Sequence, residues 1–285
     1  MTSAHTTGVS RTAVIPAQAR AAETRRSDRL FTDPYAQAFV EAVGWIQVAE
    51  AGRLNQEHFV LRTRFFDDYL TSASSSGCQQ AVVLAAGLDT RAFRLPWPTG
   101  FRFFEVDLPA LSGFKAAVLG AHRATPTCDR RVVISDLREE WAADLIAAGF
   151  DPAAPTAWLI EGLMMYLEPG DNDRLVKEVD RLSAPGSRIA LEHVNRAYVD
   201  LPEMRAVHER LTRVGAAWRS TLEDPTGWLA DFGWRSQVTP QTALAAAHGR
   251  PVPPLTDPDR VGAARMWLVS GVRGDRPEDR SDHRW

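Results

Sequence analysis

Short apolar runs that alternate with stretches of helical periodicity leave this chain few ways to fold. After the polar break TSASSSG they read AVVLAAG, FRFFEVD, RRVVISD, TAWLIEG and SRIALEHV. Each is short enough for a strand buried on both faces, and the helical stretches between them supply the crossovers that parallel strands require. WRSQVTP and ARMWLVSGV add two more strands near the C-terminus. The pattern predicts an α/β fold, a doubly wound and mostly parallel seven-stranded sheet covered by helices. Residues 9–76 hold no strand; YAQAFVEAV and LRTRFFDDYL read as helices, with turn chemistry at TDPY, so a helical N-terminal lid segment is expected. The core is expected over residues 77–272, with an arginine-rich helical insertion at about 196–219 after the fifth strand and a solvated tail over 273–285.

Bulk properties exclude several functions. A chain of 285 residues with 45% hydrophobic residues and a formal net charge of −3 lacks the basic excess that binding to a phosphate backbone brings, so nucleic acid is not the expected partner. Two cysteines without zinc-type spacing make neither a disulfide framework nor a metal site, and the histidines show no HExxH pattern. No apolar stretch approaches the roughly 18 residues of a membrane span, and the polar start MTSAHTTGVSR lacks the apolar core of a signal peptide. A cytoplasmic protein without membrane attachment is expected.

Ligands of open parallel sheets bind beyond the carboxyl ends of the strands, which are here Gly87, Asp107, Asp136 and Glu161. Three successive strands closing in a carboxylate point to a site, because a carboxylate at the edge of a buried sheet needs a partner or water. Asp107 lies twenty residues beyond Gly87 (107 − 87), the offset of an acid that accepts hydrogen bonds from ribose hydroxyls. Yet Leu88, Asp89, Thr90 and Arg91 follow Gly87, and no Gly-x-Gly-x-x-Gly fingerprint occurs. A pyrophosphate there would meet the charge of Asp89 instead of an open helix N-terminus. S-adenosylmethionine has the ribose and adenine without the phosphate bridge, and its sulfonium suits acidic surroundings.

In this order, VVLAAGLDTRAFRL, FFEVDLP, ISDL and LIEGLMMYLEP, with DPYA around Asp33 and RTRFFDD from Arg62, resemble the leucine carboxyl methyltransferase family, especially its bacterial branch that includes polyketide O-methyltransferases. The resemblance runs from about Arg25 to Val272. It implies a Rossmann-like class I methyltransferase fold, S-adenosylmethionine as methyl donor, and a hydroxyl or carboxyl of a small molecule of secondary metabolism, polyketide in type, as acceptor. It further implies that Arg62 binds the carboxylate of the cofactor's methionine moiety, with Arg64 as the alternative. Ala85 and Gly87 would form the close-approach turn and Asp107 would take the ribose. Asp136 and Leu137 would hold the adenine edge, and Glu161 would lie near the methionine amine. One departure stands out: sequences of that family usually carry glycine where this chain has Ala85.

A general base is expected at His193, in IALEHVN, which closes the fifth strand on the acceptor side; Glu192 beside it is the alternative. Met164, Met165 and Tyr166 are candidates for an acceptor wall, and Asp89 and Arg91 for a pair bracing the turn after the first strand. Rival readings are a carboxyl methyltransferase of a small acid or a protein carboxylate, a nicotinamide oxidoreductase, which would need the missing glycine fingerprint, and a non-catalytic cofactor-binding protein.

Overall fold

The computed structural model describes residues 11–44, 54 and 56–274. Residues 9–10, 45–53 and 55 of the expected lid segment and 275–285 of the expected tail lie outside the described residues, and Arg273, expected to open the tail, is the buried last residue of the seventh strand. All seven expected strands form: β1 Gln80–Leu84, β2 Arg102–Asp107, β3 Asp129–Ile134, β4 Thr156–Ile160, β5 Arg188–Val194, β6 Trp234–Val238 and β7 Met266–Arg273. They make one sheet in the order β3-β2-β1-β4-β5-β7-β6, parallel except for β7, which runs antiparallel to both neighbours. The strand order reverses beside β1, which opens a crevice at the carboxyl ends of β1 and β4.

Both faces of the sheet are buried, and strand parity assigns each side chain to one of them. Ala81, Val83, Phe103, Leu159, Ala190 and Leu268 face one layer. That layer holds α1 (Arg11–Thr24), α2 (Ala36–Val43), α3 (Gln56–Ser75) and α5 (Pro109–Ala121); the short α4 spans Arg91–Arg94. Val82, Leu84, Phe104, Trp158, Ile160 and Leu191 face the opposite layer, with α6 (Trp141–Ala147) and α7 (Pro169–Arg181). Val14, Ala17 and Ala21 of α1 share a hydrophobic cluster with Ala81 and Val83 of β1, so the N-terminal segment is continuous with the core. After β5 the chain forms α8 (Arg196–Val199) and α9 (Arg205–Arg213), then α10 (Pro225–Asp231) before β6; α11 (Gln241–Ala247) and α12 (Pro258–Val261) lie between β6 and β7.

Asp33, in the TDPY turn, ties the N-terminal helices to the sheet. Its Oδ1 accepts the backbone N–H groups of Tyr35 and Ala36, at the start of α2. Its Oδ2 accepts Arg20 Nε at 2.7 Å and Thr90 Oγ1 at 2.8 Å. Burial would raise the Asp33 pKa, but Arg20, Arg94 and these hydrogen bonds outweigh it and hold the carboxyl below its usual range. Its stabilisation is therefore complete above the unfolded-state pKa of about 3.9 and lost as pH falls through the depressed folded value. Asp33→Ala leaves the buried Arg20 without its carboxylate and is expected to cost about 3–5 kcal/mol in urea unfolding at pH 7. The difference from wild type should shrink under acid conditions.

Candidate functional site

A cavity of about 530 Å³ opens over the carboxyl ends of β1, β2 and β4 and extends towards β5 and β7. Gly87, Asp107 and Glu161 line it from the sheet, His58 and Arg62 from α3, and Ile15 and Arg20 from α1. Its far end is walled by Met165, Tyr166, Met204, Leu211, Trp218 and Met266. The helical insertion after β5 thus closes the cavity with apolar side chains, and Arg210 of α9 also lines it.

The turn after β1 is built for close approach. Ala85 has φ 55° and Gly87 φ 51°, both in the left-handed region. Gly87 N–H donates to Asp107 Oδ2 at 2.5 Å and Leu108 N–H to Asp107 Oδ1 at 2.7 Å, so the end of β2 is locked to the end of β1. Each Asp107 oxygen keeps a lone pair for a further donor. Burial raises the Asp107 pKa, against the pull of those two N–H groups. Asp89 does brace the turn: Arg91 Nη1 pairs with Asp89 and also with Glu161 Oε2 at 2.8 Å, while its Nε reaches Asp67 Oδ1 at 2.7 Å. Burial opposes ionisation of Asp89, yet Arg91 and, behind it, Lys115 draw its pKa to about 2.

Arg62 lies where the cavity passes from β4 to β5. Its Nε is 2.9 Å from Glu161 Oε1 and its Nη1 donates to Glu192 Oε1 at 2.7 Å. Glu161 therefore bridges Arg62 and Arg91; burial pushes its pKa up, and the two guanidinium groups bring it below the usual value. Glu192 has one arginine only, and burial with the charge of Glu161 pushes its pKa up to about 7 in spite of Arg62 and the Gly162 N–H.

The structure separates the candidates that the sequence leaves paired. Arg64 points away from the cavity, to Asp68 and the Leu30 carbonyl, so Arg62 is the arginine on the cavity side of α3. Asp136 and Leu137, expected at an adenine edge, do not line the cavity. Asp136 is paired with Arg138, and Leu137 packs against the core on the other side of the sheet. Leu108 and Leu111 line that end instead.

His193, the expected base, is not on the cavity wall. Consecutive strand residues point to opposite faces, and Glu192 takes the cavity side. The His193 ring lies with Ser220, whose hydroxyl also meets Asn172 of α7. Its Nδ1 accepts the N–H of Val194 at 2.8 Å, so the ring proton sits on Nε2, 3.3 Å from Ser220 Oγ, and no lone pair is left for a substrate. Burial lowers its pKa to about 4.

His58 and Arg20 also line the cavity, although no sequence motif marks them. His58 stands four residues before Arg62, the spacing of one helix face, and that is the only signal it leaves in the sequence. Among the described residues no group of three or more His, Cys, Asp or Glu side chains is arranged to hold a metal ion, and no helix is long and apolar enough to cross a membrane.

Residues 13–180 match the family model described as leucine carboxyl methyltransferase. The chain belongs to the leucine carboxyl methyltransferase family. A protein of Parafrankia sp. named "Putative S-adenosyl-L-methionine-dependent methyltransferase" is 45% identical over 257 residues, covering 86% of this chain and 83% of that protein. A Rhodococcus jostii relative of the same name is 43% identical over 263 residues, covering 86% and 89%. Among solved structures, a DUF574-family protein from Streptomyces avermitilis has a TM-score of 0.62 at 14% identity and covers 94% of this chain and 99% of its own. Magnesium protoporphyrin IX methyltransferase from Synechocystis, solved with bound S-adenosylhomocysteine, has a TM-score of 0.50 at 10% identity over 84% and 93%. At these identities the two structures share the fold alone. The chain is thus an S-adenosylmethionine-dependent methyltransferase.

The cavity suits that cofactor on its own evidence: a half-buried carboxylate with lone pairs to spare at Asp107, a left-handed turn without a side chain at Gly87, and a guanidinium at Arg62. Ala85 occupies the same backbone region with a Cβ, at a steric cost of about 1–2 kcal/mol that glycine avoids, offset in part by the greater freedom of glycine in the unfolded chain. Ala85→Gly is expected to stabilise the protein by up to about 1 kcal/mol, read as a shift of the denaturation midpoint at unchanged slope.

Proposed function

We propose that this protein transfers the methyl group of S-adenosylmethionine to an oxygen of a small, largely apolar molecule, with a carboxylate as the preferred acceptor. Asp107 accepts the ribose hydroxyls, and the turn at Ala85 and Gly87 admits the methionine portion. Arg62 clamps the methionine carboxylate, and Glu161 lies near the amine. The bound cofactor supplies an activated methyl group; the protein's task is to align the acceptor oxygen with it and to exclude water. The apolar wall of Met165, Met204, Leu211 and Trp218 supports an apolar body for the acceptor.

The observation that carries the choice of acceptor is the orientation of His193. With its lone pair taken by the Val194 N–H and its ring on the opposite face, it cannot deprotonate a hydroxyl in the cavity. Asp89 and Glu161, which do line the cavity, are tied to arginines and held below the usual pKa range, and Glu192, the alternative base, lines it too but is engaged by Arg62 Nη1 at 2.7 Å. A carboxylic acid is ionised above about pH 5 and needs no base, whereas a phenol, with a pKa near 10, does. A hydroxyl of a polyketide-type metabolite is the second reading, favoured by the apolar wall alone.

Two measurements test these assignments. Calorimetric titration with S-adenosylhomocysteine should show Asp107→Ala binding about ten- to a hundredfold more weakly than wild type, through loss of charged hydrogen bonds worth about 1.5–3 kcal/mol. Paired aryl carboxylic acids and phenols, assayed by transfer of a labelled methyl group at saturating cofactor, should give turnover with the acids that is flat from about pH 6 to 9 and unchanged within about threefold in His193→Ala. Turnover confined to phenols and rising with pH would reverse the choice. Absence of transfer to both classes, with cofactor binding intact, would place the acceptor outside them.

A further inference from the structure

A ligand carboxylate on Arg62 would be the third on one guanidinium, because two of the protein's own already pair with it. Glu161 Oε1 lies at 2.9 Å from its Nε and Glu192 Oε1 at 2.7 Å from its Nη1. A third carboxylate on one guanidinium would meet two like charges in a buried site, where screening by water is weak. Glu161 is anchored from its other oxygen by Arg91 Nη1. Glu192 is not: its Oε2 is buried with no hydrogen-bond partner among the described residues.

What faces that free oxygen is His58. Its Nε2 lies 3.8 Å from Glu192 Oε2, and it too is buried without a partner among the described residues. Its Nδ1 is 2.9 Å from Gln241 Oε1, and the Gln241 amide nitrogen donates to the Met266 carbonyl at 3.4 Å. That orientation of the amide puts the ring proton on Nδ1 and leaves a lone pair on Nε2. Burial, then the charge of Arg62, lowers the His58 pKa to about 3, so the ring is neutral. Two acceptor atoms therefore confront each other across a gap that one proton and a small side-chain shift would turn into a hydrogen bond.

We propose that Glu192 is a positioning residue for Arg62: it occupies the guanidinium in the cofactor-free protein and yields to the cofactor's carboxylate by taking a proton from solvent and turning Oε2–H towards His58 Nε2. This rests on the reading of Arg62 as the carboxylate clamp. No covalent bond changes; one proton moves from water or buffer to Glu192 for each cofactor bound. The charged and titratable groups facing Glu192 are Arg62 and His58 from α3 and Glu161 from the end of β4, and each acts in the required sense. Arg62 holds the ionised form until the ligand arrives, Glu161 disfavours a further negative charge, and His58 receives the proton donor.

The geometry matches a carboxyl group already close to its protonation point near neutrality, with a pKa of about 7 set by burial and by Glu161 against Arg62. The incoming carboxylate raises that pKa further, so binding takes up protons at and above pH 7. Cofactor affinity should then fall by up to about tenfold per pH unit above pH 7, until the pKa of the bound state is passed.

Calorimetric titration of the full-length protein with S-adenosylhomocysteine, in phosphate and in Tris at pH 6, 7.5 and 8.5, measures the protons exchanged. The amine of the ligand titrates near pH 8 and contributes in every variant, so the readout is the difference between wild type and Glu192→Gln. Wild type should take up as much as one proton more than Glu192→Gln at pH 7.5–8.5, and Glu192→Gln should lose the matching part of the pH dependence. Difference infrared spectra on binding should gain a protonated-carboxyl band that is missing in Glu192→Gln. His58→Phe should reduce the extra proton uptake at pH 7.5. Equal proton counts in wild type and Glu192→Gln overturn the proposal, as does an unchanged count in His58→Phe. Arg62→Ala separates the two claims: if it binds as wild type does, the clamp reading falls and the proposal with it. If it binds at least tenfold more weakly while Glu192→Gln keeps the wild-type proton count, only the proposal falls.

Discussion

Four arginines, Arg20, Arg62, Arg91 and Arg94, are buried against the carboxylates of Asp33, Asp67, Asp89, Glu161 and Glu192, and through them the parts of the site are held in place. Arg91 alone joins α3 through Asp67, the turn after β1 through Asp89 and the end of β4 through Glu161. Each ion loses hydration on burial, so the arrangement persists only because every guanidinium meets more than one acceptor or a well-placed carboxylate. Breaking one member leaves a charge stranded in a low-dielectric interior, and that cost keeps the helices seated on the sheet.

The same lattice decides which charges remain available for chemistry. Asp89 and Glu161 are neutralised by arginines and serve as fixed anions, while Asp107, at the edge of the network, is held by backbone N–H groups alone. Glu192 has one arginine, the Gly162 N–H and one unsatisfied oxygen. A group so placed is sensitive to the arrival of another charge, whereas its neighbours are not.

Beyond the lattice the cavity changes character. The insertion after β5 brings Met204, Leu211 and Trp218 to the cavity wall, where methionine and aromatic side chains can adapt to an apolar ligand. The two parts of the cavity are thus built from different chemistry: ion pairs and backbone turns over β1, β2 and β4, and apolar helices beyond β5.

The seven strands, their alternation with helices, and Gly87, Asp107 and Glu161 at the strand ends were all legible in the sequence, because strand period and turn chemistry are local properties. Arg62 could be narrowed only to a pair with Arg64, since choosing between two residues two positions apart on a helix requires knowing which face meets the sheet. His193 and Glu192 posed the same problem on a strand, in a harder form. A central strand of a parallel sheet is buried on both sides, so its sequence carries no apolar-polar alternation to show which face holds the cavity. The packing of α3 over one face decided that Glu192 would meet Arg62 and His58, and that His193 would lie with Ser220 on the other side. What the sequence determined was the order of strands and the residues that close them. Tertiary structure alone decided which charges share a dielectric boundary, because that depends on residues far apart in the chain, such as Arg62 and Glu192, arriving within hydrogen-bonding distance.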